Sequence, residues 1–309
     1  PKPEPGPKVK DIHAPRDDVS EADLMQMDLG PEIVTHAGVN YSDDASITRQ
    51  LDVYAPKTFN GKELSATNTL PVLVFYHGGN WAAFGGDKRH GKAIASGLCK
   101  EGFIVVSITY RGADGTEESQ YPRFVRDAAH GFAWVHKNVS KYHGNPERIF
   151  ISGHSAGGHI AALLAYDSQW LKAHEIDASK TIRGMVGISG IYYIPNSTDS
   201  QQFRQVARML DFPFPVDRDS RRQASPISHV DAGDPPSLLL YGDEDYEHLD
   251  TVALGAWVSL RAMGVEASHH MVEGQDHVNM LKNFGVRENV TTAKTLAFLK
   301  ARLKALGNG

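Results

Sequence analysis

The chain has a single cysteine, Cys99, in 309 residues. An intramolecular disulfide is therefore excluded, as is any zinc cluster built on cysteines. Cys99 falls in a helical-looking stretch, 88–100, and reads as a small buried hydrophobe rather than a reactive thiol. No apolar run approaches the ~20 residues that cross a bilayer. No lysine- and arginine-rich block offers an electrostatic footprint for nucleic acid, and the net charge is −5 with neutral histidines. No HExxH and no Cys/His cluster supplies metal-ligand spacing. Internal repeats and low-complexity tracts are also missing. What remains is ordinary: 41% hydrophobic and 22% charged, with 29 glycines and 16 prolines. Collagen-like, coiled-coil and wholly disordered chains do not look like this. A chain of this length buries roughly 75% of the surface its unfolded form exposes.

Residues 1–18 (PKPEPGPKVKDIHAPRDD) are proline-rich and charged, and predict an extended arm with no core of its own. The chain begins at Pro1 rather than Met, as a trimmed N-terminus does. If a signal peptide preceded it, the compartment is periplasmic or extracellular; if none did, cytoplasmic. The lone cysteine does not decide between them. Residues 20–28 predict a short helix with Ser20 as N-cap and Asp23 at the third helical position. Residues 32–35 and 47–54 read as strands, and in the second Leu51 and Val53 alternate with Gln50 and Asp52.

From residue 71 the pattern changes. Short apolar runs at 72–76 (VLVFY), 103–109 (FIVVSIT), 148–152 (RIFIS), 183–189 (RGMVGIS) and 237–241 (SLLLY), with a weaker sixth at 266–272, alternate with helical stretches at 88–100, 123–142, 155–166, 248–263 and 291–306. Continuously apolar strands are buried on both faces, and strand–helix alternation implies right-handed crossovers. The expected fold is α/β, with a mostly parallel central sheet and helices on both faces. The expected organisation is an arm and short helix over 1–30, then a single domain over 31–309. Residues 191–234, rich in Tyr, Phe, Pro and Arg, break the rhythm. They predict a short cap excursion over the C-terminal edge of the sheet, where ligands bind in such folds.

Gly153-His154-Ser155-Ala156-Gly157 follows the apolar run RIFIS and opens the Ala-rich stretch GHIAALLA. A serine hydroxyl is a poor nucleophile until a base removes its proton. A strained strand-to-helix turn lifts its Oγ out of the sheet, and flanking glycines are required because a Cβ would clash. The helix N-terminus behind it adds partial positive charge where an oxyanion forms. The five-residue pattern alone recurs by chance, so the strand before it and the helix after it carry the reading.

His77-Gly78-Gly79-Asn80-Trp81 directly follows VLVFY. Acyl transfer needs N–H donors aimed at a developing oxyanion, and paired glycines let the backbone approach closely. The candidate donors are the backbone amides of Gly79, Asn80 and Ala156. His77 is expected to hold the loop rather than act as a base. Two further motifs close the run of strands: Gly242-Asp243-Glu244-Asp245 after SLLLY, and Gly274-Gln275-Asp276-His277 after the last strand. Ser155, Asp245 and His277 satisfy the chain order nucleophile, acid, histidine. His277 would take the Ser155 proton, and Asp245 would fix its tautomer and stabilise the imidazolium. Asp243 is the rival acid; it lies closer to the strand and is expected to serve the turn. His269 and His270 fall inside the last strand and His248 opens a helix, which leaves His277 in the right place.

With these features in place, the chain resembles the α/β-hydrolase superfamily. Within it, the chain is similar to the branch of BD-FAE esterases, kynurenine formamidases and hormone-sensitive-lipase-like carboxylesterases, over about residues 47–306. HGGNW is similar to the HGG-x-W form of the formamidase-like group rather than HGGG. GHSAGGH is similar to GHSAG-x-H rather than the lipase-like GDSAGG. Tyr121-Pro122 followed by Asp127, and then Asn145-Pro146-Glu147-Arg148-Ile149, resemble the YP…D…DPxRI stretch, with Asn145 in place of the usual Asp. That departure is expected to affect a turn. Ala224-Ser225-Pro226-Ile227, ahead of Pro235-Pro236-Ser237-Leu238-Leu239, also fits.

The resemblance implies hydrolysis through an acyl-enzyme on Ser155, with no metal and no organic cofactor. Short-chain carboxylic esters are the expected substrates, because the excursion over 191–234 is too short for a large lid over a lipid groove. Trp81, Phe84, Tyr192, Phe212 and Phe214 are candidates for an aromatic pocket. N-formylkynurenine is the alternative, prompted by HGGNW and GHSAGGH together; Arg111 or Arg204 would then hold its carboxylate. A non-catalytic ligand receptor on the same fold is a reading of another class, and such proteins typically lose a member of the triad. A peptidase would usually add a propeller or a large cap, and 309 residues leave no room for a propeller. The expected partner is a small-molecule ester, with no nucleic acid and no membrane span. Oligomeric state is not written in the sequence.

Overall fold

A computed structural model describes residues 20–43, 48–196 and 204–307. The arm expected over 1–18, and Ile47 at the start of the second expected strand, lie outside them. Eight strands build the central sheet: β1 (Ile33–Asn40), β2 (Gln50–Pro56), β3 (Leu70–Tyr76), β4 (Ile104–Ile108), β5 (Gly144–His154), β6 (Ile182–Ile188), β7 (Ser237–Glu244) and β8 (Ala267–Asp276). Their spatial order is β1-β2-β4-β3-β5-β6-β7-β8. The β1–β2 and β2–β4 pairs are antiparallel, and every other neighbouring pair is parallel. This is the α/β-hydrolase fold.

The parallel strands were readable because they are buried along their length. β3 and β4 expose no residue on either face, so nothing selects for polar alternation. The period-2 pattern of β2 does not open one face to water: Asp52 is as buried as Leu51 and Val53. Its carboxylate accepts from the Gly38 amide (2.8 Å) and the Tyr54 hydroxyl (3.2 Å), which offsets the burial of charge.

Helices α1 (Glu21–Gln26), α2 (Gly91–Leu98), α3 (Arg123–Asn138), α4 (Ala156–Tyr166), α5 (Leu249–Ala262) and α6 (Val290–Ala305) flank the sheet. One face of the sheet packs Leu73, Phe75, Val105 and Val186 with residues of α1, α2 and α6. The other packs Val74, Val106 and Ile151 with α3, α4 and α5. α1 opens on the expected capping box, with the Asp23 amide on Ser20 Oγ (3.1 Å) and the Ser20 amide on Asp23 Oδ2 (3.3 Å). Its Leu24 and the following Met27 are buried, and Lys92 Nζ holds the Met27 carbonyl at 2.8 Å. Cys99 is fully buried, its Sγ 3.6 Å from the Tyr54 carbonyl, and burial pushes its thiol pKa up. No helix of the described residues is long and apolar enough to cross a membrane.

The excursion after β6 carries two short helices, Arg204–Met209 and Arg218–Gln223. Two residues pin it. Phe214 packs into the core against Trp81 (ring centroids 4.9 Å apart) and Phe124 (5.6 Å). Arg221 is buried and donates to the carbonyls of Pro195 (2.6 Å), Ala207 (3.0 Å) and Pro215 (3.0 Å), and pairs with Asp211.

Candidate active site

Ser155 lies at the junction of β5 and α4 with φ 55° and ψ −122°. A residue with a Cβ holds such a conformation only where its surroundings impose it. Here the Ser155 amide donates to the Ile188 carbonyl at the end of β6 (2.9 Å), and its carbonyl accepts the His159 amide (3.1 Å). The turn also presses against the end of β3. A Cβ on Gly157 would run into the carbonyl oxygens of Tyr76 and His77, so glycine is required there.

His277 follows β8 directly. Its Nδ1–H donates to Asp245 Oδ1 at 2.6 Å, with both side chains nearly inaccessible. That bond fixes the tautomer and leaves Nε2 with a free lone pair. Asp245 is held on all sides. Its Oδ2 accepts from Ser189 Oγ (2.6 Å) and, at greater length, the Gly242 amide (3.3 Å), while Oδ1 also takes the Tyr246 amide (2.9 Å). Burial works to raise the Asp245 pKa; the hydrogen bonds from His277 and Ser189 outweigh it and hold the carboxyl below the usual range. Asp243 is placed differently. Its Oδ1 takes the Gln275 amide (3.2 Å) and joins the ends of β7 and β8.

The loop after β3 turns through three successive residues with positive φ, Gly79 (114°), Asn80 (54°) and Trp81 (55°). Gly79 and Asn80 face the same cleft as Ser155 and His277. Ala156 is the first residue of α4, where a backbone N–H has no intrahelical acceptor. His77 braces the loop from below: its Nδ1–H donates to the Gly78 carbonyl (2.7 Å), and its ring stacks on Tyr110 (4.6 Å). Burial lowers the His77 pKa to about 4, so the ring is neutral.

The cleft over Ser155 has a volume of about 120 Å³, and its far wall is made by His90, Tyr246, Val278 and Leu281. The expected aromatic pocket is corrected: none of Trp81, Phe84, Tyr192, Phe212 and Phe214 lines this cleft. Trp81, Tyr192 and Phe214 are core residues, whereas Phe84 is 99% and Phe212 45% exposed. The reason is the short excursion, whose Phe214 drops into the space beside Trp81 and fills it. Arg111 is occupied as well, its Nε and Nη2 gripping Asp127 at 2.7 and 2.8 Å. The Arg204 side chain lies outside the described residues. A larger groove of about 380 Å³, between Phe59, Lys62, Glu101 and Lys300, contains none of the candidate site residues.

Four contributors to the site were not assigned a role from the sequence. His154, inside the GHSAG motif, donates from Nε2 to the His277 carbonyl at 2.8 Å. Burial lowers its pKa to about 3, which keeps it a neutral donor. Tyr246 stacks on the His277 ring at 4.2 Å. Leu281 closes the cleft, and Ser189 holds Asp245. Only His154 had a clue, its place between Gly153 and Ser155.

The chain is similar to curated esterases and to solved esterase structures. The probable isoprenylcysteine alpha-carbonyl methylesterase ICMEL1 of Arabidopsis thaliana is 29% identical over 243 residues, covering 75% of this chain and 48% of that protein. Esterase LipC of Mycobacterium tuberculosis is 32% identical over 218 residues, 67% of this chain and 50% of that protein. The chain thus spans about half the length of the curated relatives it matches. Among solved structures, an inhibited esterase B from Lactobacillus rhamnosis superposes with a TM-score of 0.74 at 18% identity, over 90% of this chain and 89% of that one. The BD-FAE family model matches residues 51–249.

Proposed function

We propose that this chain, which belongs to the BD-FAE family, is a serine carboxylesterase acting on short-chain esters through an acyl-enzyme. The observation that carries the reading is the 2.6 Å bond from His277 Nδ1 to Asp245 Oδ1, with Ser155 on its strained turn in the same cleft. The names of the two curated relatives above, a methylesterase and an esterase, support the reaction class.

In this mechanism Ser155 Oγ attacks the ester carbonyl as its proton passes to His277 Nε2. The imidazolium is stabilised by the Asp245 carboxylate, which stays ionised because its pKa is depressed. The tetrahedral oxyanion accepts from the amides of Gly79, Asn80 and Ala156. Collapse returns the proton to the alcohol oxygen, and water repeats the sequence on the acyl-enzyme.

Two features support a short acyl group and a neutral ester. A cleft of about 120 Å³ is well below the ~300 Å³ at which drug-sized pockets begin. Among the described residues no lysine or arginine lines it, and Arg111 is committed to Asp127, so nothing there balances the carboxylate of N-formylkynurenine. The test is parallel turnover of p-nitrophenyl acetate, butyrate and octanoate beside N-formylkynurenine, with Ser155→Ala as the blank. Acetate and butyrate should lead octanoate by at least tenfold in kcat/KM. A preference for N-formylkynurenine by orders of magnitude would replace this reading with a formamidase.

A further inference from the structure

We propose that Ser189 is a positioning residue of the active site, fixing the plane of the Asp245 carboxylate so that Oδ1 stays aimed at His277; this rests on the triad reading above. Three observations carry it. The first is the hydrogen bond itself: Ser189 Oγ donates to Asp245 Oδ2 at 2.6 Å, within the range of charge-assisted O–H···O⁻ bonds. A carboxylate turns about its Cβ–Cγ bond unless both oxygens are held. Oδ1 is held by His277 and the Tyr246 amide. Besides Ser189, Oδ2 has among the described residues only the Gly242 amide, at 3.3 Å.

The second observation is backbone strain. Ser189 has φ 49°, in the left-handed region where glycine sits without penalty and a side chain does not. The turn immediately after it has a glycine, Gly190, yet the strained position carries the hydroxyl. A side chain retained where glycine fits better points to use of that side chain.

The third is connectivity. Ile188 takes the Ser155 amide on its carbonyl (2.9 Å), and the Ser189 amide donates to the Leu240 carbonyl of β7 (2.7 Å). Residues 188 and 189 therefore tie the nucleophile's turn to the strand that delivers the acid. Ser189 is 1% exposed, so the hydroxyl contacts no substrate and acts only through Asp245.

The test compares Ser189→Ala and Ser189→Gly with wild type, Ser155→Ala and Asp245→Asn. Readouts are kcat and KM on p-nitrophenyl butyrate, melting temperature, and the rate of inactivation by a small phosphonate ester. Phosphonylation reports the activation of Ser155 independently of the acyl group. Both Ser189 variants should lose roughly 10- to 100-fold in kcat, the worth of one charge-assisted hydrogen bond, with KM within about threefold of wild type. Inactivation should slow in parallel. The two losses should match although the variants differ in melting temperature, because glycine relieves the strain and alanine does not. Two active Ser189 variants beside an inactive Ser155→Ala overturn the positioning role and leave the nucleophile in place. An active Ser189→Gly beside an impaired Ser189→Ala makes the role one of backbone stability and also overturns it. Turnover retained by Ser155→Ala overturns the triad reading itself, and this proposal with it.

Discussion

Two histidines flank the start of α4, and only one has a nitrogen to spare. His159 is fully buried, with both ring nitrogens occupied: Nε2–H donates to the Ala224 carbonyl (2.7 Å), and Nδ1 accepts the Trp81 indole N–H (3.1 Å). Phe124 and Phe214 pack around it. His277 is nearly as buried, but among the described residues only its Nδ1 is committed, to Asp245. Burial is thus common to the structural histidine and to the one proposed as the base. The difference is one unclaimed lone pair facing a cleft. The same contrast separates their surroundings: the aromatic cluster around His159 is closed and filled, while the His277 cleft is bounded by loops that follow strand ends.

The comparison breaks hardest at Asp245. Asp245→Asn should lower kcat by up to ~10⁴-fold, by analogy with serine proteases, because the amide no longer holds the productive tautomer. Asp243→Asn, at a side chain that accepts from the Gln275 amide, should stay within a few-fold. Steady-state kinetics on p-nitrophenyl acetate reads both, and the reverse order would move the acid to Asp243.

The next effect is on stability and lies on the other histidine. His159→Ala strands the Trp81 indole N–H and the Ala224 carbonyl and opens a cavity, at a cost of about 2–5 kcal/mol. Urea unfolding should show that loss while kcat of the folded variant stays within about threefold of wild type. A collapse of kcat without loss of stability would make His159 part of the chemistry.

A further effect, on stability alone, is its pH dependence. Burial holds His77 at about 4 and His154 and His159 at about 3, against about 6.5 in an unfolded chain. Between those values the unfolded chain binds protons that the folded one refuses. The stabilisation is therefore complete above about pH 6.5 and is lost as pH falls towards 4. Each histidine contributes a slope of about 1.4 kcal/mol per pH unit in that window. Urea midpoints from pH 7 to 5 should fall, and a flat profile would contradict neutral burial of these rings.

Much of this was legible in the sequence for a physical reason. Parallel strands buried on both faces leave unbroken apolar runs such as VLVFY, and a nucleophile turn needs glycines that leave a motif. The chain order of Ser155, Asp245 and His277 likewise follows from strand ends that share one edge. Contacts without a fixed spacing left no trace. Ser189 meets Asp245 across 56 residues and His154 meets His277 across 123, and no local pattern encodes either distance. The aromatic pocket misled because Trp81, Tyr192 and Phe214 have the composition of a binding site and the burial of a core. Which of the two they serve depends on how far the excursion reaches, and composition does not report that.

The central claim is that Ser155 is the nucleophile and forms a covalent intermediate. Its most direct test is treatment of the active protein with a small p-nitrophenyl phosphonate, followed by intact mass and peptide mapping. The account predicts one adduct per chain, on Ser155, appearing at the rate at which esterase activity is lost, and none in Ser155→Ala. Loss of activity with Ser155 unmodified, or an adduct on another residue, would contradict it.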